Sequence, residues 1–235
     1  MKNLLFGLIA TVLLSNLSFG QSAANSKNEF DYVGKLHNEI LSQLIKNNKV
    51  SEMSISEISK KVKEIALSNQ NYLDKFKGVG YYELTDEDIK KGIADYPNKF
   101  ASITDNAKIS SGAKETLTKL IVYLFDNGEK LDSKELYNFI ISFENEVNNS
   151  ELKDDEKGLI LSTTSIVRYS NFYWTNQQTL TNTQSRFWHW FGDAIGGLAG
   201  GLIGNAMEPG LGAYSGAVIG AGIVSGSIDA IEQGK

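Results

Sequence analysis

The chain of 235 residues contains no cysteine, which excludes both a disulfide framework and lipid attachment through a cysteine. It has only two histidines, and neither has further potential ligands at metal-binding spacing, so we predict no metal site. A nucleophile elbow, a phosphate loop and a dinucleotide fingerprint are also missing from the sequence. These absences predict no catalytic residue and no cofactor, and they favour a protein that is not an enzyme.

Positive charge is also scarce along the chain. The formal net charge is −5 and the sequence pI is near 5.2, without a long basic run, which argues against a nucleic-acid partner. The part that follows Phe187 is itself acidic, whereas attraction to anionic lipid would need the opposite sign. Any membrane contact would therefore come from apolar and aromatic groups.

The amino end has the pattern of a secretory signal. Lys2 precedes an apolar run over residues 4–14, and small residues stand at the expected cleavage positions around Gly20. We predict a cleaved signal peptide over residues 1–20; an uncleaved membrane anchor is the alternative. The mature protein is then periplasmic, envelope-associated or extracellular.

Residues 21–174 predict a helical bundle domain, because their apolar residues recur at three- and four-residue spacing without strand-like alternation. Ser54 with Glu57, and Thr85 with Asp88, fit the capping box that begins a helix. The whole chain has only two prolines, and one of them, Pro97, interrupts this pattern. The predicted helices end near Asn47, Gly78, Pro97, Gly128, Asn148 and Trp174.

Residues 175–186 are almost wholly polar and predict an exposed linker. A cluster of aromatic residues over 187–191 follows at once. Because amphipathic rings prefer the headgroup level of a bilayer, we interpret this cluster as an interfacial belt with Trp188 and Trp190 as anchors. The alternative is that the rings close the end of the bundle.

Two rows of small residues dominate residues 187–235. Residues four apart lie on one helix face, so each row would form a flat surface against which another helix can pack closely. Pro209 and Gly210 separate the rows and indicate a tight turn. The sequence therefore predicts an all-α protein: a helical bundle followed by a C-terminal glycine-rich helical hairpin. The helix-contact residues are Gly192, Gly196, Gly200 and Gly204 in the first arm and Gly212, Gly216 and Gly220 in the second.

These arms have no polar face, so they are buried in protein or in lipid. Each interior glycine costs a helix roughly 0.8–1 kcal/mol relative to alanine, and close packing must offset that cost. Residues 209–228 are uncharged and reach the about 20 residues that cross a bilayer, but residues 194–207 fall short of that length. Shallow insertion in a membrane, contact between copies and burial in the protein's own core all stay open.

Two segments resemble known proteins. Asn28, Phe30, Asp31, Tyr32, Val33, Gly34, His37 and Asn38 fit an Asn-x-aromatic-Asp-aromatic-Val-Gly-x-x-His-Asn motif. This motif resembles the opening of uncharacterised secreted proteins of Bacteroidetes-type bacteria, which implies compartment and kinship. His37 and Asn38 are thus motif residues of unknown role, although His37 at the edge of a predicted core favours packing. The glycine-rich arms resemble glycine-zipper segments and class II bacteriocins, but they are acidic and lack a double-glycine leader.

We therefore predict a secreted, non-enzymatic protein that associates with membrane or with copies of itself through the glycine-zipper hairpin. The first alternative is a soluble periplasmic or extracellular helical binding module whose hairpin packs into its own core. The second alternative is an enzyme with a pocket near His37 and Asn38.

Overall fold

The computed structural model describes residues 23–79, Thr104, residues 107–176 and residues 183–232. Within these ranges the chain forms eight α-helices and no strand, which confirms the all-α prediction. A short 3₁₀ turn, Val50–Glu52, lies between the first two helices. The helices are α1 (Asp31–Asn47), α2 (Ile55–Ser68), α3 (Gln70–Lys75), α4 (Ser111–Asn127), α5 (Ser133–Asn148), α6 (Asp154–Thr175), α7 (Thr183–Met207) and α8 (Leu211–Glu232).

Some predicted features lie outside the described residues. These are the signal peptide over 1–20, the Thr85 capping box, Pro97 and the part of the polar linker over 177–182. The two described ends of that linker differ from each other. Thr175 and Asn176 are exposed as predicted, whereas residues 183–186 already belong to α7.

Side-chain caps begin α2 and α3. Ser54 and Glu57 form the predicted capping box at α2, with the Ser54 amide donating to the Glu57 carboxylate over 2.8 Å. The long helix predicted from Ser54 to Gly78 is wrong in one respect, because Asn69 divides it into α2 and α3. The Asn69 backbone is extended, and its side-chain oxygen accepts from the Tyr72 amide over 3.0 Å, which caps α3.

Helix α6 is the central helix of the bundle. It contacts α1, α4, α5, α7 and α8, and every residue from 158 to 171 is buried. Two threonine side chains in this stretch return hydrogen bonds to their own helix, and the Ser165 and Ser170 hydroxyls donate to other helices. The Thr163 hydroxyl, for example, donates to the Leu159 carbonyl over 3.0 Å. A helix with so many polar residues is therefore enclosed on all sides by its neighbours.

Helices α7 and α8 form an antiparallel hairpin joined by a turn at Glu208–Gly210. Gly210 has φ +84°, a left-handed conformation that glycine adopts without strain. The amide of Gly210 donates to the Asn205 side-chain oxygen over 3.4 Å, and the Glu208 amide donates to the Gly204 carbonyl over 2.8 Å. These hydrogen bonds close α7 at the turn.

The hairpin is packed inside the bundle rather than beside it. Gly197 and Gly201 lie against Ile166 and Leu159 of α6, and Gly226 lies against Ile58 of α2. Among the described residues one helix, α8, is long and apolar enough to cross a membrane. Its segment Leu211–Ile228 has a mean hydropathy of 1.4, and 89% of it is buried within the protein. One hydrophobic core thus continues across the boundary predicted between the bundle and the hairpin.

Candidate functional site

A buried arginine forms the first polar cluster, where α6, α5 and the start of α1 meet. The Arg168 side chain is fully buried, with 0% of it exposed. Its Nε donates to Glu144 Oε1 over 3.1 Å and its Nη2 donates to Asp31 Oδ1 over 2.5 Å. Its Nη1 donates to the backbone carbonyl of Ala23. We call Arg168, Glu144 and Asp31 the Arg168 cluster; a buried guanidinium of this kind is satisfied only when several acceptors surround it.

Residues 23–30, the N-terminal segment, cover the Arg168 cluster and supply further donors to Glu144. The Asn25 and Asn28 side-chain amides donate to the two Glu144 oxygens over 2.6 and 2.7 Å. Tyr137 on α5 donates its hydroxyl to the Ala24 carbonyl over 3.0 Å. Glu144 is fully buried, so its carboxylate has lost its hydrating water, and these donors supply the hydrogen bonds in place of that water.

The motif of residues 28–38, which spans the start of α1 and the three residues before it, packs against α6. The Asn28 side chain donates to the Leu161 carbonyl over 2.9 Å, and Asn38 donates to the Tyr169 carbonyl over 2.8 Å. The Gly34 amide donates to Ser165 Oγ over 3.0 Å, and a Cβ at Gly34 would lie 2.6 Å from the Ser165 backbone carbon. The spacing of the motif therefore follows from a close contact between two helices.

A second polar cluster surrounds Asp193 of α7, which is fully buried. Asp193 Oδ2 accepts from Trp174 Nε1 over 2.8 Å and from the Ser170 hydroxyl. The Nε2 atom of His37 lies 3.3 Å from the same oxygen. We call these four residues the Asp193 cluster. The prediction of a core-edge position for His37 is wrong, because α7 covers the ring and leaves it 0% exposed.

The Asp193 cluster contains a serine, a histidine and an aspartate, the residue types of a hydrolase triad. In a triad the nucleophile is hydrogen-bonded to the base, and the base to the acid. Here Ser170 and His37 both approach the same carboxylate oxygen, and all three side chains are fully buried. The described residues also contain no group of three potential metal ligands. In this arrangement the Asp193 carboxylate of α7 links side chains of α1 and α6.

The glycine rows meet each other across the hairpin. A Cβ at Gly196 would lie 2.6 Å from the Gly220 carbonyl oxygen, and a Cβ at Gly212 would lie 2.7 Å from that of Gly204. Gly200 faces Gly216 in the same way. Gly192 differs, because it faces the side chains of Val224 and Ile228 instead of a glycine. Six of the seven predicted contact glycines, those at 196, 200, 204, 212, 216 and 220, therefore lie against the backbone of the other arm.

The aromatic cluster points into the protein and closes one end of the bundle. Trp190 is 3% exposed, and the Phe187 ring lies 5.2 Å from it, between ring centroids. Trp188 is partly buried and packs edge-on against Phe125 of α4 at 6.5 Å. The structure therefore does not place Trp190 at an interface as predicted, because α4 covers this end of α7. Gly128 allows the Trp190 ring to approach the end of α4, since a Cβ added at this glycine would lie 2.7 Å from the ring.

Buried tyrosines predict an alkaline limit to stability. Burial raises the pKa of Tyr32 to about 12, and it also raises the pKa values of Tyr72 and Tyr173. The folded state thus keeps protons that the unfolded chain releases near pH 10, so stability is complete below about pH 10 and falls as pH rises towards 12. Absorbance at about 295 nm and circular dichroism should show ionisation together with unfolding. Ionisation of all ten tyrosines near pH 10 with intact helices would contradict this prediction; denatured protein gives the reference titration.

Sequence reasoning missed the residues at the centre of both clusters. Arg168, Glu144 and Asp193 were not predicted as site residues. The available signal was Arg168 within an otherwise uncharged run of α6, together with a single aspartate at the start of an apolar glycine-rich arm.

No protein-family profile, curated protein sequence or solved structure matches the chain. What the protein does must therefore be inferred from its own residues.

Proposed function

We propose that the protein is an exported, non-enzymatic helical binding module whose glycine hairpin is an internal scaffold. One observation carries this proposal: the glycine rows, which could pack against a helix of another molecule, already pack against each other. The Cβ position of Gly196 is filled by the Gly220 backbone, and the opposite faces of the hairpin contact α1, α2 and α6. Recognition would then depend on the exposed faces of the outer helices and not on the hairpin.

Polar contacts support an internal position for the hairpin. Asp193 and Ser215 are both buried, and the Ser215 hydroxyl lies 2.6 Å from the Tyr72 hydroxyl of α3. Release of the hairpin would break these contacts. Moving Asp193 into a bilayer centre would cost about 2.5–3.5 kcal/mol on insertion scales, without the three partners that it has here.

Membrane association or self-association through a released hairpin is the second candidate. The observation that favours it is the segment Leu211–Ile228, whose length of 18 residues and mean hydropathy of 1.4 suit a membrane helix. The bundle would have to open before that segment could reach lipid, because most of it is buried.

Flotation and mass measurement distinguish the two candidates. The processed protein should remain in the aqueous fraction with vesicles of neutral or anionic phospholipid, and light scattering should give a monomer. The Gly200→Leu variant is the matched control, since it prevents closure of the hairpin and should expose its apolar faces. Flotation of the unmodified protein, or a stable dimer at low concentration, would overturn the internal role.

A further inference from the structure

The glycine rows alone do not fix the alignment of α7 with α8. Both rows repeat every four residues, so a shift by about one turn, roughly 6 Å along the helix axis, again places glycine against glycine. Close packing of small residues is therefore compatible with more than one alignment. The observed pairs are Gly196 with Gly220, Gly200 with Gly216 and Gly204 with Gly212; a shifted hairpin would pair Gly200 with Gly220 and Gly204 with Gly216.

The turn between the two helices does not select the alignment either. Met207 is 66% exposed and Leu211 is 43% exposed, so unwinding a helix end here would remove little buried surface. A Cβ at Gly210 would have no atom within 4 Å, which shows that the turn is not packed against the bundle. A change in loop length would break the hydrogen bond between Gly210 and Asn205 but would remove little buried surface, so the alignment is set mainly elsewhere.

Buried polar contacts outside the zipper distinguish the alignments. Asp193 fixes the height of α7, because its carboxylate meets donors from α6 and the ring of His37 from α1. Ser215 fixes the height of α8 through the Tyr72 hydroxyl at 2.6 Å. A shift of about 6 Å along the axis would leave these buried groups without partners, which is far more costly than exchanging one glycine contact for another.

We propose that Asp193 and Ser215 set the register of the glycine hairpin, as positioning residues that select one of several nearly equivalent zipper alignments. Buried polar groups are known to fix register between helices in this way, at some cost in stability. The glycines allow α7 and α8 to pack closely, and the two polar residues determine the register between these helices.

Disulfide trapping tests this proposal directly, because the chain contains no cysteine of its own. A Cβ at Gly201 would lie 3.6 Å from the Cβ of Ala217, which is within the range for a disulfide. The pair Gly201→Cys with Ala217→Cys therefore reports the native register. Replacing the second cysteine by Ala221→Cys or Ala213→Cys reports a shift of one turn in either direction, with Gly201→Cys common to all three pairs.

With Asp193 and Ser215 intact, we expect the native pair to close under mild oxidation at least about tenfold faster than either shifted pair. Asp193→Leu combined with Ser215→Ala should raise the yield of a shifted pair relative to the native pair by about tenfold or more, which needs only part of the free energy of such buried contacts. Asp193→Asn keeps an oxygen acceptor and should restore the native preference.

If Asp193 and Ser215 only stabilise the fold, replacing them will lower the melting temperature without changing the ratio of native to shifted disulfide pairs. That result would overturn the proposal. The Ser170→Ala, Trp174→Phe double variant removes both donors from α6 and gives a second comparison if Asp193→Leu does not fold. An unchanged ratio in the folded variant would also overturn the proposal.

Discussion

Replacing Gly200 by leucine is expected to prevent α7 and α8 from closing, and to remove the cooperative thermal transition of the protein. A side chain at this position would meet the Gly216 carbonyl group, with the Gly216 carbon 2.9 Å from its Cβ and the Gly220 Cα at 3.0 Å. These are backbone atoms and cannot rotate away. Overpacking by a few methylenes costs about 1–3 kcal/mol. A whole leucine should exceed this and approach the total stability of a domain, about 5–15 kcal/mol.

A pair of alanine variants isolates the contact from helix propensity. Gly200→Ala, in the interior of α7, improves helix propensity by about 0.8–1 kcal/mol, and Gly112→Ala, in the first turn of α4, acts in the same direction. At Gly112 on α4 the nearest atom to a new Cβ is the end of the Leu152 side chain at 3.3 Å, which can move aside, whereas at Gly200 the new Cβ meets backbone. Circular dichroism melts should show Gly112→Ala neutral or stabilised and Gly200→Ala destabilised. Stabilisation of both variants would contradict the close packing of the two arms.

Replacing Arg168 by methionine is expected to destabilise the protein by about 3–5 kcal/mol, the usual result of removing one partner from a buried ion pair. Glu144 is fully buried and would keep only neutral donors, while Asp31, whose side chain is 21% exposed, can still reach water. The carbonyl of Ala23 would also lose its donor. Denaturant unfolding monitored by circular dichroism measures this loss.

Two further variants show whether the loss of stability in Arg168→Met comes from the buried ion pair. Lys119 on α4 pairs with Glu115 over 2.7 Å, but both side chains are about 70% exposed, so Lys119→Ala should cost less than about 0.5 kcal/mol. Adding Glu144→Leu to Arg168→Met should recover part of the lost stability, because it removes the unpaired buried charge. An effect of Arg168→Met as small as that of Lys119→Ala would show that the cluster is open to water.

Local patterns were sufficient to predict most of the fold. Ser54 and Glu57 are close in sequence, and the four-residue glycine spacing is visible within a single helix, so both features could be predicted from neighbouring residues. The division at Asn69 could not, since capping and helix continuation compete at that residue. The aromatic cluster at 187–191 was ambiguous because either lipid or protein can cover aromatic rings, and here α4 covers them.

The polar clusters could not be predicted because their members are far apart in sequence. Glu144 and Arg168 are separated by 24 residues, and His37 and Asp193 by 156. Serine, threonine and arginine in a helix usually indicate a face towards solvent. In α6 the same residues face the motif of α1, and nothing within α6 itself reveals that partner. The function proposed for the hairpin depends on these long-range contacts.

The burial of helix α6 affects how the protein unfolds. Because residues 158–171 are buried throughout, α1, α5 and α7 cannot detach without breaking the hydrogen bonds that Ser165, Arg168 and Ser170 make to them. Partial fraying is therefore penalised at its first step, and the molecule should pass from folded to unfolded in an all-or-none manner.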